Sequence, residues 1–190
     1  MPSAASGSAE PGGASPDALP YDRVVLVGFM ASGKSTVGRQ LARRLKWRFV
    51  DLDRAVEAQA GKSIPEIFRT EGEAAFRELE EEVGRELLSH QRVVLSTGGG
   101  WGGTPGRVDS LDSRTLSVWL QVDLRRALGR ARRSPGTRPL LSGPNPLETA
   151  RQLLEAREPH YRRAALILDA DGKSARVLAR TIVEHILGAS

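Results

Sequence analysis

The stretch Gly28-Phe29-Met30-Ala31-Ser32-Gly33-Lys34-Ser35 carries the clearest chemistry in the chain: a glycine, four residues, then Gly-Lys-Ser. That spacing suits a loop whose backbone N–H groups converge on phosphate oxygens. It lies between a β-branched run ending at Val27 and an amphipathic stretch starting at Lys34. The loop therefore opens a helix, and the helix dipole adds positive potential at the same point. Lys34 is long enough to reach the β- and γ-phosphates of ATP, and the Ser35 hydroxyl suits Mg²⁺. A chance glycine-rich turn would lack both flanks.

Many NTPases end the third strand on an aspartate that holds Mg²⁺. Here the run Val93-Val94-Leu95 leads into Ser96-Thr97-Gly98-Gly99-Gly100, with no carboxylate. The acids stand at Asp51 and Asp53 instead. Two residues apart on an extended backbone, they are expected to point the same way. Asp51 can then hold a Mg²⁺-bound water while Asp53 accepts a proton from a substrate hydroxyl. The plainer alternative is that Asp53 caps the following helix.

Arg77 and Glu80 are helical neighbours three residues apart, so the carboxylate can orient the guanidinium. Alone, such a pair on a surface is worth little. Beside it in the order of the chain come Gly98-Gly99-Gly100, whose bare backbone admits a ligand closely, then Arg138-Pro139 and Arg157-Glu158-Pro159. Arginine forks suit a planar carboxylate or a phosphate. An aspartate, a glycine backbone and paired arginines together suit a hydroxylated acid.

These residues need a frame. Short apolar runs at Arg23–Val27, Arg48–Asp51, Arg92–Leu95, Leu116–Leu120 and Leu166–Leu168 alternate with amphipathic stretches. That alternation predicts an α/β fold, a five-stranded parallel sheet with helices on both faces. Helices are expected at Lys34–Leu45, after Ser63 with Glu66 closing a capping box, at Glu73–Leu88, from the Asn145-Pro146 cap to about Glu158, and at Ala175–Leu187 capped by Ser174. Residues 101–113 read as poorly helical. Arg133 to Pro144 holds three prolines and two glycines, which predicts an irregular, mobile lid.

Composition narrows the classes. At 190 residues with 39% hydrophobic content, the chain suits one domain, over residues 21–190. Residues 1–20 are almost all Ala, Ser, Gly and Pro and are expected to be a disordered tail. There is no cysteine, which excludes thiolate metal sites. No run is long and apolar enough for a membrane helix, and no secretory signal is visible, so the cytoplasm is expected. The charge of +5 admits nucleic acid, but acids are mixed through most of the chain and aromatic residues are 5%. Stacking platforms for single strands are therefore few, and no nucleic-acid partner is expected.

Taken in order, the Gly28–Thr36 loop, Asp51-Leu52-Asp53, the Phe68–Glu80 block, Ser96–Gly100, Arg138–Leu141 and Arg157–Arg163 closely resemble the shikimate kinase family, P-loop enzymes akin to nucleoside-monophosphate kinases. The resemblance implies ATP-dependent phosphorylation of the 3-hydroxyl of shikimate, Mg²⁺, the strand order 2-3-1-4-5 and a monomer. It implies that Ala31, Ser32, Gly33, Lys34, Ser35 and Thr36 form the phosphate loop, with Ser35 on Mg²⁺ and Asp51 reaching the metal through water. Asp53 would bind ring hydroxyls, Arg77 and Arg157 the carboxylate, and Gly98, Gly99 and Gly100 the acid through their backbone. Arg138 would come from the lid to the phosphates, and one of Arg130, Arg132 and Arg133 to adenine. Two departures stand out: Ala31 occupies a position where the family often has glycine, and Trp101 follows the triple glycine, where its indole is expected to narrow the pocket. A gluconate-type kinase of the same fold would share the loop and lid without needing the Phe68–Glu80 and triple-glycine blocks together.

Overall fold

In the computed structural model, which describes residues 19–132 and 145–188, the chain alternates strands and helices from Arg23 onward. The strands are β1 (Arg23–Val27), β2 (Arg48–Asp51), β3 (Val93–Ser96), β4 (Thr115–Gln121) and β5 (Leu166–Asp169). The helices are α1 (Lys34–Leu45), α2 (Leu52–Ala60), α3 (Ile64–Thr70), α4 (Gly72–Ser89), α5 (Leu124–Arg132), α6 (Pro146–Tyr161) and α7 (Ala175–Gly188). All four strand pairings are parallel, in the order β2-β3-β1-β4-β5.

Every residue of central β1 is buried, because helices cover both faces of the sheet. Period-two alternation divides its side chains between two cores. Val24 and Leu26 pack with Leu41 of α1 and Ile182 of α7, while Val25 and Val27 pack with Leu52, Phe76, Val83 and Trp101 on the other face. The glycine loop after β1 and the Ser96–Gly100 segment after β3 thus leave the sheet side by side. Leu19 also packs against the first core, and the Pro20 carbonyl accepts from Arg114. Residues 1–18 of the expected tail and the whole expected lid, 133–144, lie outside the described residues.

Several local expectations are corrected. Asp53 is not on extended backbone: α2 begins at Leu52, with Asp51 as its N-cap and Asp53 in its first turn. Ser63 does cap α3, but without a side-chain bond; Glu57 of α2 accepts the Ile64 N–H instead, at 3.0 Å. A distant carboxylate has displaced the local capping box. Arg92 precedes β3 in a left-handed turn, φ 56°. Helix α6 continues through Pro159 to Tyr161, although proline removes a helix donor, because Tyr161 is completely buried on the second core. The caps at Asn145 and Ser174 form as expected, accepting from Glu148 N at 3.4 Å and Val177 N at 3.3 Å.

Candidate active site

The phosphate loop turns immediately after β1. Gly28 has φ 134°, and a Cβ there would lie 2.7 Å from the Leu120 carbonyl, so only glycine lets the loop leave the sheet here. Gly33, at φ 95°, is the N-cap of α1. Lys34 is buried and donates to the carbonyls of Gly28 at 2.7 Å and Phe29 at 2.9 Å. Its ammonium is held beneath the loop, at the positive end of the helix. Ser32 is turned inward with its hydroxyl buried, and its N–H bonds Phe29 O at 3.3 Å.

A cleft of about 350 Å³ opens over this loop. It brings together Ala31, Gly33, Lys34, Ser35 and Thr36 with Asp51, Asp53 and Gly99; Ser32 does not line it. Ser35 Oγ donates to Asp51 Oδ2 at 2.6 Å and lies 3.2 Å from Ser96 Oγ. A hydroxyl and a carboxylate at this spacing are hard oxygen donors and fit Mg²⁺, which binds proteins through one or two such groups plus water and phosphate. The described residues hold no group of three or more His, Cys, Asp or Glu arranged for a metal.

The second half of the site is built on a strap, Gly98 to Gly103. Thr97 anchors its start, bonding Leu26 O through both its N–H at 3.2 Å and its hydroxyl at 3.0 Å. The glycines here are required by crowding. A Cβ on Gly98 would come 2.5 Å from Asp53 Oδ1 and 3.0 Å from Glu80 Oε1. One on Gly100 would strike the Arg77 guanidinium, and one on Gly103 would lie 2.5 Å from Arg157 Cγ. Asp53, Arg77 and Arg157 therefore pack on one ribbon although they come from α2, α4 and α6.

Charge is concentrated there. Arg77 donates to Glu80 at 2.7 Å and to Glu73 at 3.0 Å, and Glu80 is only 3% exposed. Burial pushes the Glu80 carboxyl up while Arg77 pulls it back. Asp53 is pushed up to about 6, first by burial and then by Asp51 and Glu80, with Lys34 opposing. An aspartate tuned toward neutrality beside a phosphate loop is suited to exchange a proton.

Some participants were not assigned from sequence. Arg130 lines the cleft and its guanidinium lies 3.5 Å from Ala31 O; the side chains of Arg132 and Arg133 lie outside those described. Tyr161 donates to the Gly99 carbonyl, which Arg157 Nη1 also approaches at 3.4 Å; its place in the Arg157–Arg163 block was the only signal. Trp101 does not narrow the cleft. Its indole is 3% exposed and turns into the second core against Gly84 of α4, with Nε1 3.0 Å from where that glycine's Cβ would be. Gly84 of α4 provides the space that this tryptophan takes. Arg133 and Arg138 lie outside the described residues.

A parallel sheet with its phosphate loop on the central strand, acids at the end of edge strand β2 and a guanidinium-lined glycine strap defines a P-loop kinase for a small acidic acceptor. The sequence model of shikimate kinases matches residues 30–187, and the chain belongs to the shikimate kinase family. It is 47% identical over 167 residues to a shikimate kinase of Thermus thermophilus, covering 88% of this chain and 91% of that protein. Among solved structures, the shikimate kinase of Acinetobacter baumannii in complex with shikimate superposes with a TM-score of 0.84 at 38% identity, covering 90% of this chain and 95% of that one. A gluconokinase from Sinorhizobium meliloti shares the fold at a TM-score of 0.55 and 17% identity, with 90% and 98% covered.

Proposed function

We infer that the chain transfers the γ-phosphoryl group of ATP to the 3-hydroxyl of shikimate, and we assign the steps to its residues. Arg77 and Arg157 bind the acid's carboxylate with charge-assisted bonds, Arg77 being oriented by Glu80 and Glu73. The strap admits the ring closely because Gly98, Gly99 and Gly100 carry no side chains and Trp101 turns into the core. Asp53 accepts the proton of the attacking hydroxyl. Lys34 and the loop amides, Ala31 to Thr36, hold the phosphates and stabilise the charge that spreads during transfer. Ser35 and Asp51 would hold Mg²⁺, which would supply charge neutralisation on the phosphates. Arg138, which lies outside the described residues, is assigned to the transferring phosphoryl group as a charge-stabilising guanidinium, and Arg130 to the nucleotide side.

The observation that carries this reading is the convergence of Asp53, Arg77 and Arg157 on one glycine strap beside the phosphate loop. A site for a neutral polyol would have no use for two arginines there. No helix among the described residues is long and apolar enough to cross a membrane. We take the enzyme to act as a monomer in the cytoplasm; sedimentation of the purified protein tests the first point. ADP release measured with shikimate and gluconate side by side tests the function. Turnover of shikimate is expected, and turnover of gluconate alone would overturn the assignment.

A further inference from the structure

We propose that Tyr161 is a positioning residue of the acid-binding site, holding the glycine strap and Arg157 in register through the Gly99 carbonyl. The proposal rests on the function assigned above. Tyr161 is fully buried, with its ring against Trp119 at 6.0 Å between centroids. A phenylalanine would fill that space with no polar atom to satisfy. The hydroxyl is nevertheless present and donates to Gly99 O. Burial pushes the phenol up to about 12, so it remains a proton donor at any working pH.

Arg157 and Tyr161 are four residues apart on α6 and share one helix face. Both reach Gly99 O, but the Arg157 contact is the long one at 3.4 Å. Tyr161 therefore holds the carbonyl, and Arg157 keeps N–H groups for a carboxylate. In a trans peptide the carbonyl of one residue and the N–H of the next point in opposite directions. Holding Gly99 O toward Tyr161 thus aims the Gly100 N–H away from it. Among the described residues, the N–H groups of Gly98, Gly99 and Gly100 have no protein acceptor. They are donors for an anionic ligand, and the direction of the last is set by Tyr161. This also gives α6 a reason to run past Pro159: without that turn the phenol would not reach the strap.

The test compares Tyr161→Phe with Ile182→Val, a change in the core on the opposite face of the sheet, in the full-length protein. Tyr161→Phe should raise KM for shikimate about tenfold, the loss of one good hydrogen bond, with kcat and KM for ATP within about twofold. Ile182→Val should leave all three unchanged. The amide resonances of Gly98–Gly100, read on ¹⁵N-glycine-labelled protein without ligands, should shift and broaden in Tyr161→Phe alone. An unchanged shikimate KM, or equal effects in both variants, overturns the proposal. Unchanged strap resonances overturn it as well. If wild-type protein fails to phosphorylate shikimate while the strap resonances respond as stated, the substrate assignment falls and the positioning role stands.

Discussion

The phosphate loop and the glycine strap sit next to each other at the ends of β1 and β3 and are both rich in glycine, but for opposite reasons. In the loop, glycine supplies backbone angles: Gly28 and Gly33 both have positive φ, and the ligand groups are consecutive amides plus the lysine and serine that follow. In the strap, glycine supplies room. Gly98, Gly100 and Gly103 are absent from the positive-φ positions, yet a methyl on any of them would meet Asp53, Arg77 or Arg157. A phosphate site can be written in one stretch of chain because backbone alone makes it. A carboxylate clamp needs guanidinium groups from α4 and α6, and the chain brings them together around glycines at the points of contact, with Trp101 turned away into the core.

The strongest way to sharpen this contrast is Asp53→Asn. It keeps the shape against Gly98 but cannot accept a proton, so kcat should fall by about 10²–10⁴ with KM for ATP unchanged. The wild-type pH profile should lose kcat/KM as the pH falls below about 6, where Asp53 protonates. Stability should move the other way. The folded state binds this proton more tightly than the unfolded chain, so between the ordinary value of 3.8 and about 6 the folded protein gains stability as pH falls. At pH 7 the asparagine variant should therefore melt higher than wild type, by on the order of 1–3 kcal/mol. A lower melting point would show that Asp53 is a packing element of the strap rather than a strained catalytic group.

Next in size, Arg138→Ala should lower kcat about 10²–10³ with a smaller change in KM for ATP, and lysine should rescue only partly because it offers a point charge. Full kcat in the alanine variant would remove it from transfer. Smaller still, Arg77→Ala and Arg157→Ala should each weaken shikimate binding by about 2–4 kcal/mol and spare ATP. They should differ in stability. Removing Arg77 takes from the buried Glu80 its hydrogen-bonded partner and leaves only the weaker pull of Arg107 and Arg157, which lowers the melting point; removing Arg157 takes away only one of those weaker interactions and lowers it less. Equal melting points would break the distinction.

The legibility of the sequence follows the same division. The alternation of runs located all five strands to within a residue or so, and the loop from Gly28 to Ser35 was complete in its spacing. The strap's acids and arginines were assigned in order along the chain, but their reasons for meeting were not visible. Where Trp101 points depends on Gly84, seventeen residues earlier on another element. The capping of α3 by Glu57 and the passage of α6 through Pro159 are decided by partners that local propensity does not contain. Asp53 lies in the first turn of α2 because the chain leaves β2 at Asp51, whose side chain turns to Ser35 rather than capping, and a strand-like reading of Asp-Leu-Asp had no means to see that turn.

The smallest predicted effect concerns Ala31, the one residue in the phosphate loop that glycine alone would suit fully. Its φ of 58° is left-handed, which costs an L-residue about 1–2 kcal/mol. Glycine would release that strain but gain freedom in the unfolded chain, worth about 0.5–1 kcal/mol. Ala31→Gly should therefore stabilise by at most about 1 kcal/mol. Lys46 is the natural reference: at φ 56° it is the left-handed C-cap of α1, its N–H returning to Ala42 O, and it lies at the far end of α1 from the loop. Lys46→Gly should stabilise by a similar amount without touching kinetics. If Ala31→Gly matches it in melting temperature and leaves KM for ATP unchanged, the loop is as purely a backbone device as its spacing suggests. If the glycine variant gains stability but binds ATP more weakly, then the alanine is holding the loop amides in place. The Ala31 carbonyl, 3.5 Å from Arg130 Nη1, would be the contact through which that stiffness matters, and Arg130→Ala should then reproduce the loss while leaving shikimate KM as it was.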